Sequence, residues 1–186
     1  MSERARGLAS PCARIPPAQI SHWCDNIAMS VKSIQFAVCT HIATMLGFWH
    51  GEAFTSSQIA DSMNAEPSYV RRAIAKLAKA GLVATTRGKS GACTLARAPE
   101  SITLLDIYRA SEAPPAAIPH AYQVQHSCPV SKVFQPSMGH MLDHAQSAFE
   151  AALAQRTVAD LVAEIRAAHL AAGTSEFGRP APRRAA

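Results

Sequence analysis

The sequence predicts a mainly α-helical fold with one small β-hairpin and a long helical arm. Three observations carry this reading. Apolar residues recur at helical spacing through most of the middle of the chain. One pair of short β-prone runs, 82–86 and 93–96, flanks a basic stretch containing two glycines, as a hairpin requires. Finally, a stripe of small and apolar residues from Met138 to Leu153 continues the helical pattern well past the hairpin.

In chain order, residues 1–28 contain Pro11, Pro16 and Pro17 and show no apolar period. They read either as an unstructured leader or as sequence ahead of a translation start at Met29, and the residues leave both open. Ile34, Ala37, Val38, Ile42, Met45 and Leu46 then predict a first helix over 31–48. The stretch 33–51 has no charged residue, but Ser33, Gln35, Thr40, His41 and Thr44 break its apolar run. That marks a buried helix and not a membrane span. Thr55 or Ser56 can cap a short second helix with Ile59, Ala60 and Met63 on one face. After the turn at Asn64, Ala65 and Glu66, Pro67 suits the first position of a third helix, because its missing N–H costs nothing there. Val70, Ala73, Ile74 and Leu77 form its buried stripe, and Gly81 ends it.

Thr103 can cap a fourth helix running through Ser111, and a Pro/Ala linker follows. A long helix is expected from Pro129 or Val130 to Ala154. Thr157 can cap a last helix, with Asp160 at the reciprocal position of a weak capping box, since Asp is shorter than the usual Glu. The expected division is a domain over 29–111, a linker or sensor loop over 112–127, paired helices over 128–172 and a frayed tail over 173–186.

Charge is concentrated. The 186-residue chain has a net charge of +5. Between Glu66 and Arg97 lie Arg71, Arg72, Lys76, Lys79, Arg87, Lys89 and Arg97 against Glu66 alone, so this segment holds the whole excess. Two short helices, a tight turn and a basic, glycine-tipped hairpin make the layout of a winged helix-turn-helix domain. Burying the apolar stripe of the third helix leaves Ser68, Arg71, Arg72 and Lys79 facing outward, as a helix in the major groove requires. Arg71 is the expected base reader, because a guanidinium can bond a guanine edge bidentately. Ser68 and Tyr69 are expected at phosphates near the helix N-terminus. Arg87 and Lys89 at the hairpin tip suit the minor groove or the backbone. The plain alternative is a solvated basic face, but the combination with the hairpin disfavours it.

The runs Ser33-Ile34-Gln35-Phe36-Ala37, Ser57-Gln58-Ile59-Ala60, Tyr69-Val70-Arg71-Arg72, Lys79-Ala80-Gly81-Leu82-Val83, Arg87-Gly88, Leu95-Ala96-Arg97 and Ile102-Thr103-Leu104-Leu105-Asp106-Ile107-Tyr108 resemble the bacterial Rrf family of transcription regulators. That family includes the iron–sulfur cluster regulator, the nitric-oxide-sensitive repressor and the cysteine-metabolism repressor. The resemblance covers roughly 31–165. It implies a homodimer with a winged-helix domain and a long crossing helix on a palindromic operator in double-stranded DNA. By position it places Ser68, Tyr69 and Arg71 at recognition-helix contacts and Arg87 in the wing. The wing departs from the family pattern: its tip reads Gly88-Lys89-Ser90-Gly91-Ala92-Cys93 and lacks the closing aromatic residue.

Met138, Met141, Leu142, Ala145, Ala148, Phe149, Ala152 and Leu153 line the long helix, and the small residues among them admit a second helix closely. Packing on its own domain is the alternative, but a helix of about 25 residues spans about 37 Å, more than a small domain covers.

Family members that hold an iron–sulfur cluster use three cysteines between the fourth helix and the dimer helix. Here residues 112–136 contain only Cys128, so no such cofactor is expected. Cys128 sits in His126-Ser127-Cys128-Pro129 at a helix start, where the dipole and an imidazole favour the thiolate and make it a candidate redox sensor. A metal-responsive alternative joins Cys128 or His126 to His140 and His144, four residues apart. Cys39 and Cys93 read as packing residues. The five cysteines form no CxxC pair and follow no signal peptide, which points to a reducing cytoplasm. No catalytic elbow, phosphate loop or paired carboxylates appear, which speaks against an enzyme. A winged-helix interaction module without DNA binding is disfavoured by Arg71, Arg72 and Arg87.

Overall fold

A computed structural model describes residues 20–86, 91–120 and 123–173, with side chains described from Ile34 onward. The first helix, α1 (Ile20–Phe48), starts eleven residues earlier than the spacing predicts. Residues 20–28, which the sequence reads as lacking regular structure, are therefore helical and belong to α1. No Pro or Gly falls between Pro17 and Gly47, so nothing stops the helix from propagating upstream of its packed half. That packed half buries Cys39, Ile42, Ala43, Met45 and Leu46, whereas Ile34, expected in the stripe, is 47% exposed. Near its end Gly47 lies so close to a later helix that a Cβ would stand 2.8 Å from Val158 Cγ1.

A strand the sequence did not reveal, β1 (Phe54–Thr55), follows. Two residues are too few to show alternation. Thr55 also caps α2 (Ser56–Met63): its hydroxyl accepts from Gln58 N–H, and its own N–H donates to Gln58 Oε1 at 3.0 Å. Asn64 ends α2 in the left-handed region. Pro67 opens α3 (Pro67–Lys79), which buries Val70, Ala73, Ile74 and Leu77 as its spacing requires. Gly81, at φ +70°, releases the chain into β2 (Val83–Thr85).

β2 pairs antiparallel with β3 (Ala92–Leu95), placing Val83 opposite Leu95 and Thr85 opposite Cys93. β1 adds to the other edge of β3, for a sheet order of β1-β3-β2. A 3₁₀ turn at Pro99–Ser101 leads to α4 (Leu104–Ser111), capped by Thr103 with Asp106. The core is one cluster in which Ile42, Leu46, Phe54, Ile59, Leu77, Leu82, Ile102, Ile107 and Val158 are fully covered.

The long helix α5 (Pro129–Ala154) has the predicted bounds and carries Pro136 in its interior. Its 26 residues span about 39 Å. Then α6 (Val158–Ala171) begins with the Thr157–Asp160 box, both halves formed, so the short Asp side chain suffices here. Leu104 N–H bonds to Arg156 carbonyl and Val158 N–H to Ile102 carbonyl, stitching the start of α6 to the domain. Among the described residues no helix is long and apolar enough to cross a membrane.

Candidate nucleic-acid interface

The outer face of α3 is built by subtraction. Its inner stripe is buried against α1, α2 and α4, so Ser68, Arg71, Arg72 and Lys79 are left exposed. Arg71 Nε donates to Pro67 carbonyl at 3.3 Å, which braces the guanidinium along the first turn. Arg72 lies over the Tyr69 ring, 5.7 Å from its centroid. Tyr69 is turned differently from the expectation of a phosphate contact. Its hydroxyl is buried and has no hydrogen-bond partner among the described residues, and burial raises its pKa above the ordinary tyrosine value. At the helix start, the Tyr69 and Val70 amides turn to Glu66 carbonyl, so they are not open to an incoming phosphate.

Lys76, one of the seven cations in the basic segment, does not belong to the outer face. Its Nζ donates to Gln35 Oε1 at 3.3 Å and to Ser111 carbonyl at 3.1 Å, and pairs with Glu112 at 3.0 Å. The available signal was its position three residues after Ala73, which sets it at the edge of the buried stripe and not opposite it. Arg97 leans toward Asp106 at 3.9 Å. The outward cations of α3 are therefore Arg71, Arg72 and Lys79. Arg87 and Lys89 lie outside the described residues, so the wing tip has no geometry here.

The predicted arm stripe divides in two. Phe149 packs edge-on against Tyr108, which packs in turn against Phe36, with centroids 5.4 and 5.5 Å apart. Leu153 is buried, and Gln146 donates to Tyr108 Oη at 3.1 Å. That end of the stripe holds the arm to its own domain. Toward the N-terminus of α5, Val130, Val133 and Met141 are 63%, 60% and 56% exposed. A mostly apolar groove of about 870 Å³ opens on the other side, between α1 and α6, lined by Phe36, Met45, Trp49, Leu161 and Ile165 among others.

Cys39 and Cys93 are buried, as expected, and burial pushes both thiols up to about 11. Cys128 is half-buried at the N-cap of α5, its N–H bonded to Gln125 carbonyl. The metal alternative fails on geometry. His140 and His144 are one turn apart, but Cys128 precedes His140 by twelve residues, about 18 Å along the helix. No group of three His, Cys, Asp or Glu side chains that could hold an ion occurs among the described residues.

A helix with three outward cations, docked on a helical core and followed by a small antiparallel sheet, defines a winged helix-turn-helix DNA-binding protein. The family model for Rrf2, an iron-dependent transcriptional regulator, matches residues 33–164. The chain belongs to this family, whose members are transcriptional regulators that bind DNA and not enzymes. It is 32% identical over 128 residues, 69% of its own length and 94% of the relative's, to YwnA of Bacillus subtilis (strain 168), described as a candidate HTH-type transcriptional regulator. Among solved structures it resembles one described as that of a candidate DNA-binding protein, at 31% identity and TM-score 0.53, covering 68% of this chain and 97% of the other. CymR of Bacillus subtilis, a global cysteine regulator, matches at 25% identity and TM-score 0.52, covering 70% and 94%.

Iron is named in the family's description, but the donors described here do not fit an iron centre. Cys39 and Cys93 are enclosed in the core, and Cys128 stands alone at the head of α5.

Proposed function

We propose that the protein is a homodimeric repressor that reads a palindromic operator through α3, with Arg71 at base edges and Arg72 and Lys79 on the backbone. One observation carries this reading: three cations stand exposed on a helix whose opposite face is buried in the core, so they are held outward, where a polyanion can meet them. Ser68 is proposed to contact a phosphate beside them, and Arg87 and Lys89 of the wing to reach the neighbouring groove. Two unpaired apolar surfaces on one chain, the N-terminal half of α5 and the groove between α1 and α6, support a second copy as the partner. A two-fold pair of α3 helices then meets half-sites about one DNA turn apart.

Light scattering on the purified chain tests the dimer. The expected result is twice the chain mass, with a shift toward one chain mass in Met141→Glu. A wild-type protein of single-chain mass at the concentrations where it binds DNA contradicts the reading.

A redox response through Cys128 is the proposed signal. Unlike Cys39 and Cys93, its thiol is not enclosed in the core, and it sits where the linker enters α5. Oxidation there can shift the arm and with it the spacing of the two α3 helices. DNA affinity measured before and after mild peroxide, in wild type and in Cys128→Ser, tests this. The same response in both proteins rules Cys128 out.

A further inference from the structure

Between α1 and α3, directly behind the DNA-facing side of α3, lies a cavity of about 190 Å³ lined by Gln35, Cys39, Tyr69, Arg72, Ala73 and Lys76. Its polar lining is one-sided. The Tyr69 hydroxyl is buried with no partner among the described residues, although a buried hydroxyl ordinarily finds one. Arg72, itself exposed, also lines the cavity, with no carboxylate among the described lining residues. Lys76 is bonded to Gln35 Oε1, Ser111 carbonyl and Glu112, which uses its three donors. By holding the Gln35 oxygen, Lys76 also fixes that amide so that its NH₂ is left to donate. Among the described residues no Asp or Glu lines the space, and burial keeps the Cys39 thiol in its neutral form. The cavity thus presents three donor groups, of which Arg72 is a cation, with Cys39 and Ala73 as an apolar floor.

We propose that this cavity is a binding site for a small carboxylate, held by the Tyr69 hydroxyl, the Arg72 guanidinium and the Gln35 amide, with its short carbon chain against Cys39 and Ala73. A planar guanidinium matches a carboxylate edge, and the volume admits a molecule of a few heavy atoms and excludes a nucleotide. Because Arg72 also stands on the DNA-facing helix, an occupied site draws that guanidinium away from phosphate, and the ligand weakens DNA binding. Carboxylate binding itself does not depend on the DNA reading.

The test is calorimetric titration of the full chain with acetate at constant ionic strength, alongside acetamide and inorganic phosphate. Saturable acetate binding is expected, with none for acetamide. It should weaken about tenfold or more in Tyr69→Phe and in Arg72→Gln, the loss expected for one hydrogen bond to a charged group. Melting of unliganded Tyr69→Phe controls for folding: an unpartnered hydroxyl removed leaves the melting temperature equal or higher. Absence of saturable acetate binding, or variants that bind acetate as tightly as the wild type, overturns the proposal. Binding of phosphate without acetate overturns it as well, and reassigns these donors to the DNA backbone. Acetate binding by a chain that ignores DNA keeps this site and removes the operator reading; DNA binding without acetate binding does the reverse.

Discussion

Replacing Lys76 by methionine separates a cation that holds the fold from cations that hold DNA. Methionine keeps the unbranched stem and its packing while removing the ammonium. What is lost is the bond to Ser111 carbonyl at 3.1 Å and the bond to Gln35 at 3.3 Å. Ser111 is completely covered, so its carbonyl is left with an unmet acceptor, at a cost of about 1–3 kcal/mol. Nothing is added for Glu112, which is solvated and loses only a surface partner. A cost near 2 kcal/mol lowers the melting temperature of a chain this size by about 4–8 °C. In DNA binding the same variant should leave the salt dependence nearly unchanged, since Lys76 touches no phosphate. Thermal melting followed by affinity measurements across a salt series checks both halves. An unchanged melting temperature together with a loss of about 0.9 in the salt slope would show that Lys76 faces DNA, and would refute the division of the basic segment drawn here.

Two further outcomes follow from the packing around α6. Gly47→Val places methyl groups where even a Cβ would stand 2.8 Å from Val158, a stiff and fully buried side chain; a loss of about 2 kcal/mol in denaturant unfolding is expected, and no loss would mean that α1 and α6 are not in contact there. Asp160 has its carboxyl pKa held below the ordinary value, chiefly by the Thr157 backbone N–H, then by the Thr157 hydroxyl. A depressed carboxyl contributes stability above its unfolded value and loses that contribution as pH falls through the folded one. The stability gap between wild type and Asp160→Asn should therefore be present at neutral pH and close in acid below the ordinary carboxylate range; a gap that grows on acidification contradicts the bond.

Legibility in the sequence tracked how local each determinant is. The bounds of α2, α3 and α5 follow from residues inside them: Thr55 as a cap, Pro67 and Pro129 at first helical positions, and Gly81 past a helix end. The stripe of α3 was readable because four apolar residues at the right spacing admit only one inner face. β1 was not readable, since a two-residue strand exists only through its pairing with β3. The upstream run of α1 escaped because its residues lack a period, although they also lack a breaker. At the site, exposure of Arg71, Arg72 and Lys79 was legible as the complement of the buried stripe. The inward Tyr69 hydroxyl and the internal bonds of Lys76 were not, because both depend on α1 and on the end of α4, which are distant in sequence. The cluster of Cys128, His140 and His144 failed for a simpler reason: residues near in sequence are held far apart once they lie along one helix.

The central claim is that α3 grips duplex DNA through Arg71, Arg72 and Lys79. Affinity for duplex DNA measured against salt, in wild type, Arg71→Ala, Arg72→Ala and Lys79→Ala, tests it most directly. The account predicts a steep fall of affinity with salt in the wild type, and a slope smaller by about 0.9 for each variant that loses a phosphate contact. Binding that ignores salt, or is the same in all four proteins, would contradict it.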